Sequence, residues 1–326
     1  MKSVFGRLAS TLATAALAFS AVSVQAGPFT SMVVFGDSLS DTGNLFDATG
    51  GTQPPAGQPY FNGRFSNGPV WVETLAAGLG LPNAALRLSL GGSNYAFAGA
   101  RTGLAGEPPG LLAQIAGIWG PANAVANPNA LYVVVAGGND LRDARSAPGN
   151  NAATRQDAAQ AAATNLFNSV ALLAQKGAKN VLIANLPDLG ATPEAALLGA
   201  QAASTDVTVR FNTLVAGMEN TLQGLFYGLD VNMLNLFDIS NLVRTDALSN
   251  GGARFGITNV TTPCAGFAFS AGASCAVSLF SDVLHPSARA HSILGGFALR
   301  AVPEPGTLVL VLGALGVIVM VRRRAR

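Results

Sequence analysis

Among 326 residues only two are cysteine and two are histidine, and Asp, Glu, Lys and Arg together make up 11%. Each shortage narrows the chemistry. Cys264 and Cys275 have no histidine cluster beside them, which argues against a zinc site. His285 and His291 are the whole supply of imidazole bases. No period of 20–50 residues repeats, so solenoids and propellers are set aside. Charge is scarce and unevenly placed. The formal net charge of +2 includes Lys2, Arg7 and the arginines of the last five residues. Without these, and without Glu304, 13 basic residues face 16 acidic ones, a balance of about −3. Such a balance argues against a surface for nucleic acid or anionic lipid.

Long apolar runs are confined to the two ends. Lys2 and Arg7 precede an Ala- and Leu-rich stretch from Leu8 to Val24, closed by Val24-Gln25-Ala26. This pattern predicts a signal peptide over 1–26 with cleavage after Ala26, a retained anchor being the alternative. At the other end Pro303-Glu304-Pro305 leads into an uncharged run from Thr307 to Val321 and then Arg322-Arg323-Arg324-Ala325-Arg326. The run is short for a span of about 20 residues, and the arginines after it mark the cytoplasmic side. Motif, apolar helix and basic tail together resemble the PEP-CTERM sorting signal of bacteria that make exopolysaccharide. That resemblance implies an exosortase-type processing protease beside signal peptidase, transient inner-membrane anchoring, and a final place at the surface or in the matrix of a Gram-negative bacterium. A plain membrane tail is the alternative. Export to an oxidising compartment favours a Cys264–Cys275 disulfide, with a free pair or metal ligands as the other readings.

The predicted organisation is therefore a signal peptide (1–26), one domain (27–301) and a sorting signal (302–326). The central stretch is long enough for one sizeable core. Apolar runs at Ser31–Phe35, Leu131–Ala136, Asn180–Asn185 and Asp230–Phe237 read as strands, with Tyr95–Phe97 a further short one. Helical spacing covers Val70–Leu79, Leu111–Ile118, Ala152–Gln175 and roughly Glu194–Leu225. Strands alternating with helices imply a mostly parallel sheet covered on both faces. The segments Gly43–Asn67 and Asn250–Leu279 read as long loops, the first over the active end.

Residues at the strand ends carry the chemistry. The first strand runs into Gly36-Asp37-Ser38-Leu39-Ser40-Asp41-Thr42-Gly43-Asn44. A serine just past a buried strand stands where α/β folds place reacting groups, although Gly, Asp and Ser also make ordinary turns. The second long strand ends in Gly137-Gly138-Asn139-Asp140, which brings Asn139 to the same sheet edge. Its amide is a pair of donors suited to an oxyanion. Gly99, in Ala98-Gly99-Ala100-Arg101, can aim a backbone N–H without a side chain in the way. Late in the chain comes Asp282-Val283-Leu284-His285-Pro286. An Asp three residues before a His can hold the tautomer that leaves Nε2 free to take a serine proton. His291 has no Asp three residues before it.

These blocks, in this order, resemble the GDSL or SGNH hydrolase family over nearly all of residues 31–300. The family letters fall on Ser38, Gly99, Asn139 and His285. Asn185-Leu186-Pro187-Asp188-Leu189-Gly190 and Arg254-Phe255-Gly256-Ile257-Thr258-Asn259 are further family-like stretches. Ala98 departs from the pattern, where a Gly often precedes the oxyanion glycine. No serine lies in Gly-x-Ser-x-Gly, so the α/β-hydrolase elbow is not the model. The resemblance implies a flavodoxin-like three-layer α/β/α sandwich and an exported serine ester hydrolase that needs no cofactor or metal. It casts Ser38 as nucleophile, His285 as base, Asp282 as its orienter, and Ser38, Gly99 and Asn139 as the oxyanion hole. The expected substrate is a carboxylic ester of lipid or small-molecule type. A polysaccharide O-acetyl group is the alternative, and a non-catalytic surface protein on the same scaffold is a third reading.

Overall fold

Four apolar runs become one parallel sheet in the computed structural model, which describes residues 29–302 apart from 56–57, 148, 265 and 267–272. The strands are β1 (Ser31–Gly36), β2 (Ala130–Val135), β3 (Asn180–Ala184) and β4 (Asp230–Leu234), in the order β1-β2-β3-β4. Tyr95–Phe97 is not a full strand. It makes an isolated parallel bridge, Val34 to Asn94, with Tyr95 N–H donating to Val34 O (2.7 Å) and Phe97 N–H to Gly36 O (3.1 Å). This segment runs along the free edge of β1. It thus fills the second-strand place of a flavodoxin-like order, and the order reverses between β1 and β2.

Successive side chains of a strand point to opposite faces, and both faces here are buried. Val33, Phe35, Tyr132, Val134, Val181 and Ile183 pack on one side against α3 (Ala152–Gln175) and α4 (Gln201–Val215). Met32, Val34, Leu131, Val133 and Leu182 pack on the other against α1 (Trp71–Gly78), α6 (Leu236–Asn250) and α7 (Ala288–Ala301). Two further helices, α2 (Gly138–Ser146) and α5 (Met218–Leu225), complete those of eight residues or more among the described residues. Burial on both faces explains why the strands read as continuous apolar runs rather than alternating ones. Each fully buried Val or Leu side chain contributes roughly 1.5–3 kcal/mol.

Three expectations are corrected. The apolar run Asp230–Phe237 divides, because Asn235 caps α6 by accepting from Asp238 N–H and the helix begins at Leu236. The helix expected over Glu194–Leu225 is three pieces: Pro193–Leu197, α4 and α5. Gly199 (φ 61°) and Gly217 (φ 78°) break it, since left-handed backbone cannot continue a right-handed helix. The loop expected over Asn250–Leu279 contains β5 (Asn259–Pro263), which pairs in parallel with β6 (Ser278–Phe280). A disulfide joins Cys264 and Cys275 beside this pair, with 4.8 Å between their Cα atoms.

Among the described residues no helix is long and apolar enough to cross a membrane. The expected signal peptide and the motif, apolar run and arginines from Pro303 onward lie outside the described residues.

Candidate active site

The turn after β1 needs glycine at its first position. Gly36 has φ 154°, and a Cβ there would stand 2.2 Å from Val135 O. Gln114 holds the same residue through both its peptide groups, accepting from Gly36 N–H and donating to Gly36 O, each at 2.8 Å. The chain then turns sharply: Ser40 and Asp41 N–H both donate to Asp37 O at 3.0 Å. Leu39 N–H donates to Asp37 Oδ1 (3.0 Å). Ser38 stands at the head of this turn.

Buried Asp41 ties the turn to the segment carrying Gly99. Its carboxylate accepts from Gly43 and Asn44 N–H (2.7 Å each), Leu45 N–H (3.2 Å) and Ala98 N–H (2.8 Å). Asn94 reaches across in the other direction, donating to Ser40 O (2.7 Å). Gly99 follows with φ 85°, in the left-handed region that favours glycine. Among the described residues neither Ser38 N–H nor Gly99 N–H donates to a protein acceptor.

After β2, α2 presents Asn139. Its Nδ2 donates to Ala100 O (2.9 Å), and Arg142 Nη1 donates to its Oδ1 (3.1 Å). Arginine only donates, so this contact fixes which way the amide faces and leaves one Nδ2 hydrogen over. The next residue, Asp140, accepts from Thr102 N–H and Oγ1 and so anchors the chain after Gly99.

The segment after β6 brings Asp282 and His285 together in a tight loop, closed by Ser281 N–H donating to His285 O (2.8 Å). Asp282 Oδ1 accepts from Leu284 N–H (2.8 Å) and His285 N–H (2.6 Å). Asp282 Oδ2 lies 2.7 Å from His285 Nδ1, and His285 Nε2 lies 2.9 Å from Ser38 Oγ. A carboxylate only accepts, so Nδ1 carries the proton and Nε2 is free to accept from the serine. Burial acts to raise the Asp282 pKa. The facing imidazole and the hydrogen bonds outweigh burial and hold the carboxyl well below its usual range. Ser38, Asp282 and His285 are each about nine-tenths buried. Next to the serine, burial pushes the Asp37 carboxyl up to about 6.

The sequence-predicted site residues thus meet at one sheet edge, across the gap where strand order reverses. Ser38, Asn139 and His285 line the neighbouring cavity, whereas Gly99 and Asp282 stand outside its lining. That cavity opens beside Ser38 and His285 and runs between α6, α7 and the chain after β3. Its walls are mainly apolar, among them Leu186, Leu236, Ile239, Val243 and Phe280, with Arg244 also on them. A second cleft also reaches His285, with Gln58, Tyr60, Arg142 and Glu194 among its lining residues. Among the described residues no group of three or more His, Cys, Asp or Glu side chains is placed to hold a metal ion.

Several residues at the site carry no sequence signal that singles them out. Tyr60 and Phe65 come from the long loop before α1. Glu194 accepts from Arg142 Nε (3.0 Å) and also pairs with Arg145, while its own N–H donates to Val283 O (2.7 Å). It therefore links the Asn139 helix to the His285 loop. Burial opposes its ionisation, but the two arginines lower its pKa. The Gly-rich loop over the active end was legible. The particular side chains it delivers were not.

A family model described as GDSL-like Lipase/Acylhydrolase matches residues 32–296. A phosphatidylcholine-sterol acyltransferase of Aeromonas hydrophila is 30% identical over 256 residues, which cover 73% of this chain and 66% of that protein. A thermolabile hemolysin of Vibrio parahaemolyticus is 28% identical over 282 residues, covering 80% and 60% respectively. The chain spans about half to two thirds of the length of the curated relatives it matches. Among solved structures, an acetylxylan esterase from Geobacillus stearothermophilus shares 13% identity at a TM-score of 0.45, over 85% of this chain and 95% of that one.

Proposed function

This chain belongs to the GDSL-like lipase/acylhydrolase family, and on that premise we propose that it is a serine ester hydrolase acting through an acyl-enzyme. One observation carries the reading: the chain of contacts from Ser38 Oγ to His285 Nε2 (2.9 Å) and from His285 Nδ1 to Asp282 (2.7 Å). In the proposed reaction Ser38 Oγ attacks the ester carbonyl carbon while its proton passes to His285 Nε2. The carbonyl oxygen, now negative, takes hydrogen bonds from Ser38 N–H, Gly99 N–H and the spare Asn139 Nδ2 hydrogen. The bond to the alcohol oxygen then breaks, and the alcohol leaves with the proton held on Nε2. Water repeats the sequence in reverse, losing a proton to Nε2 and releasing the carboxylic acid and free Ser38. Asp282 stays ionised throughout and stabilises the imidazolium.

The apolar cavity supports an acyl chain longer than acetyl, since burying methylenes there removes them from water at about 0.8 kcal/mol each. Nitrophenyl esters from acetate to palmitate, run beside acetylated xylan, test this. Rates that rise beyond the acetyl ester are expected. Turnover confined to acetyl groups and fastest on xylan would replace the reading with a polysaccharide O-acetylesterase. Wild-type ester hydrolysis by Ser38→Ala would overturn Ser38 as the nucleophile, and a wild-type protein inert on every one of these esters would leave the fold as a binding scaffold only.

We further propose export, with signal peptidase removing 1–26 and an exosortase-type protease cutting near Pro305. The sequences of the two ends support it, and a disulfide suits an oxidising compartment. Mass spectrometry of the mature protein from its host decides it: an intact peptide ending in Arg326 would mean a retained tail.

A further inference from the structure

The loop between Thr49 and Val70 is fastened to the base of the proposed triad by side chains. Tyr60 OH donates to Asp282 Oδ2 at 2.6 Å, the same oxygen that faces His285 Nδ1. Phe65 packs on the His285 ring with centroids 5.1 Å apart, and Tyr60 packs on Phe65 at 5.5 Å. The loop is closed on itself by Phe61 N–H to Ser66 O (2.9 Å). It is held to the body by Arg64, which pairs with Glu73 through two nitrogens (2.7 and 2.8 Å). Ser66 Oγ donates to Pro286 O (3.2 Å), and Asn67 Oδ1 accepts from Ala288 N–H (2.9 Å), on either side of the step into α7. Burial, and then the Asp282 charge, raise the Tyr60 phenol pKa, so its oxygen keeps its proton and donates.

With Tyr60 in place all four acceptor positions of Asp282 are filled: two N–H on Oδ1, and a phenol and an imidazole on Oδ2. A phenol donor on Oδ2 withdraws electron density from the oxygen that must stabilise the imidazolium. Resting on the ester-hydrolase reading, we propose that Tyr60 is a positioning residue that fixes the Asp282 carboxylate and moderates its pull on the proton His285 takes from Ser38. Other charged or titratable groups around His285 are Asp37 and Arg142 from the strand-end blocks, Glu194 from Pro193–Leu197, and His291 from α7.

The test is the pH profile of kcat/KM on a short nitrophenyl ester for wild type, Tyr60→Phe, and the protein with 3-fluorotyrosine at position 60. Phenylalanine removes the donor, strengthens the carboxylate's hold on imidazolium, and moves the acid limb up by about 0.5–1 pH unit. At pH 6 that is a loss of roughly three- to tenfold, with the alkaline plateau and KM changing less. Fluorotyrosine is a stronger donor and moves the limb the other way. A limb that stays in place in both proteins, with any loss uniform across pH, would reduce Tyr60 to a packing role and overturn the proposal. If Tyr60→Phe does not fold by circular dichroism, the fluorotyrosine shift decides alone. Ser38→Ala run alongside separates the two levels: activity surviving there overturns the hydrolase reading and this inference with it, whereas an inert Ser38→Ala with an unmoved limb overturns this inference only.

Discussion

The half of the site that carries Ser38 and the half that carries His285 are fastened by different means. Around Ser38 the partners are main chain. Asp41 gathers four backbone N–H groups, Asp37 O takes two more, and Gln114 clamps the Gly36 peptide. Around His285 a tight loop of local main-chain bonds is joined by distant side chains, Tyr60, Phe65 and Ser66, together with the N–H of Glu194. The difference suits what each half would do in the proposed reaction. Oxyanion donors act by standing still where charge develops, and backbone held at strand ends gives them fixed positions. A base changes charge in every cycle, and its strength is tuned by the groups around its orienting carboxylate.

Removing either half at its centre gives the largest effect. Ser38→Ala, His285→Ala and the double variant should each lose about 10⁴-fold or more in kcat, and the losses should not add, because nucleophile and base act as a unit. Kinetics on a soluble nitrophenyl ester check this, and additive losses would mean that the two residues work separately. Loosening only the serine half comes next. Asp41→Asn replaces one acceptor oxygen with a donor and opposes the N–H groups it holds, Ala98 N–H among them. A displaced Gly99 should lower kcat by about 10–100-fold, with KM changed less and the folded state retained by circular dichroism.

Loosening the approach to the base half should cost stability rather than rate. The Cys264–Cys275 disulfide spans a sequence separation of 11 beside β5 and β6, and β6 runs straight into Ser281 and Asp282. Replacing both cysteines with serine should lower unfolding free energy by about 3 kcal/mol at most. The kcat of the remaining folded protein, measured well below Tm, should stay near wild type. A large drop in kcat there would show that the bridge also sets the geometry of the His285 loop.

The smallest effect is confined to acid. His291 is fully buried on α7, its Nδ1 accepts from Trp71 N–H (3.3 Å), and its Nε2 has no partner among the described residues. Burial, reinforced by the His285 charge, pushes its pKa down to about 3. An unfolded chain protonates the same group near 6.5. Between those values the unfolded state binds more protons, so the contribution present above 6.5 is lost as pH falls towards 3. At pH 5 the loss is about 2 kcal/mol. His291→Asn keeps an acceptor for Trp71 N–H without the titration. Its urea-unfolding stability should therefore fall less than that of wild type between pH 7 and pH 5, and an equal fall in both would place the acid sensitivity elsewhere.

Much of the frame was legible. The strands from Ser31 and Asn180 and the helix Ala152–Gln175 lie where their composition put them, because buried parallel strands and a capped helix are local patterns. The glycine breaks at Gly199 and Gly217 were in plain view, but isolated glycines are tolerated within helices often enough that the run read as continuous. The helix α6 was hidden because its first residues extend the apolar run of β4. At the site, Ser38, Asn139 and Asp282–His285 were legible as strand-end and short-range features. The part played by Asp41 was not legible, since nothing in a turn announces that its carboxylate will reach Ala98, 57 residues on.

Sequence alone was enough for the parallel α/β sheet and for singling out Ser38, Asn139, Asp282 and His285 as candidates. Hydrophobic period, the turn after a strand and the three-residue spacing of Asp282 and His285 are all settled within a few residues. Folding was needed to select Tyr60 for Asp282 across 222 residues, Arg142 for Glu194 across 52, and the apolar walls of the cavity from α6 and α7. Tyrosine, arginine and glutamate occur on most surfaces, and leucine and valine in most cores. Which of them meet depends on how distant segments close against one another, and no local pattern of residues encodes that closure.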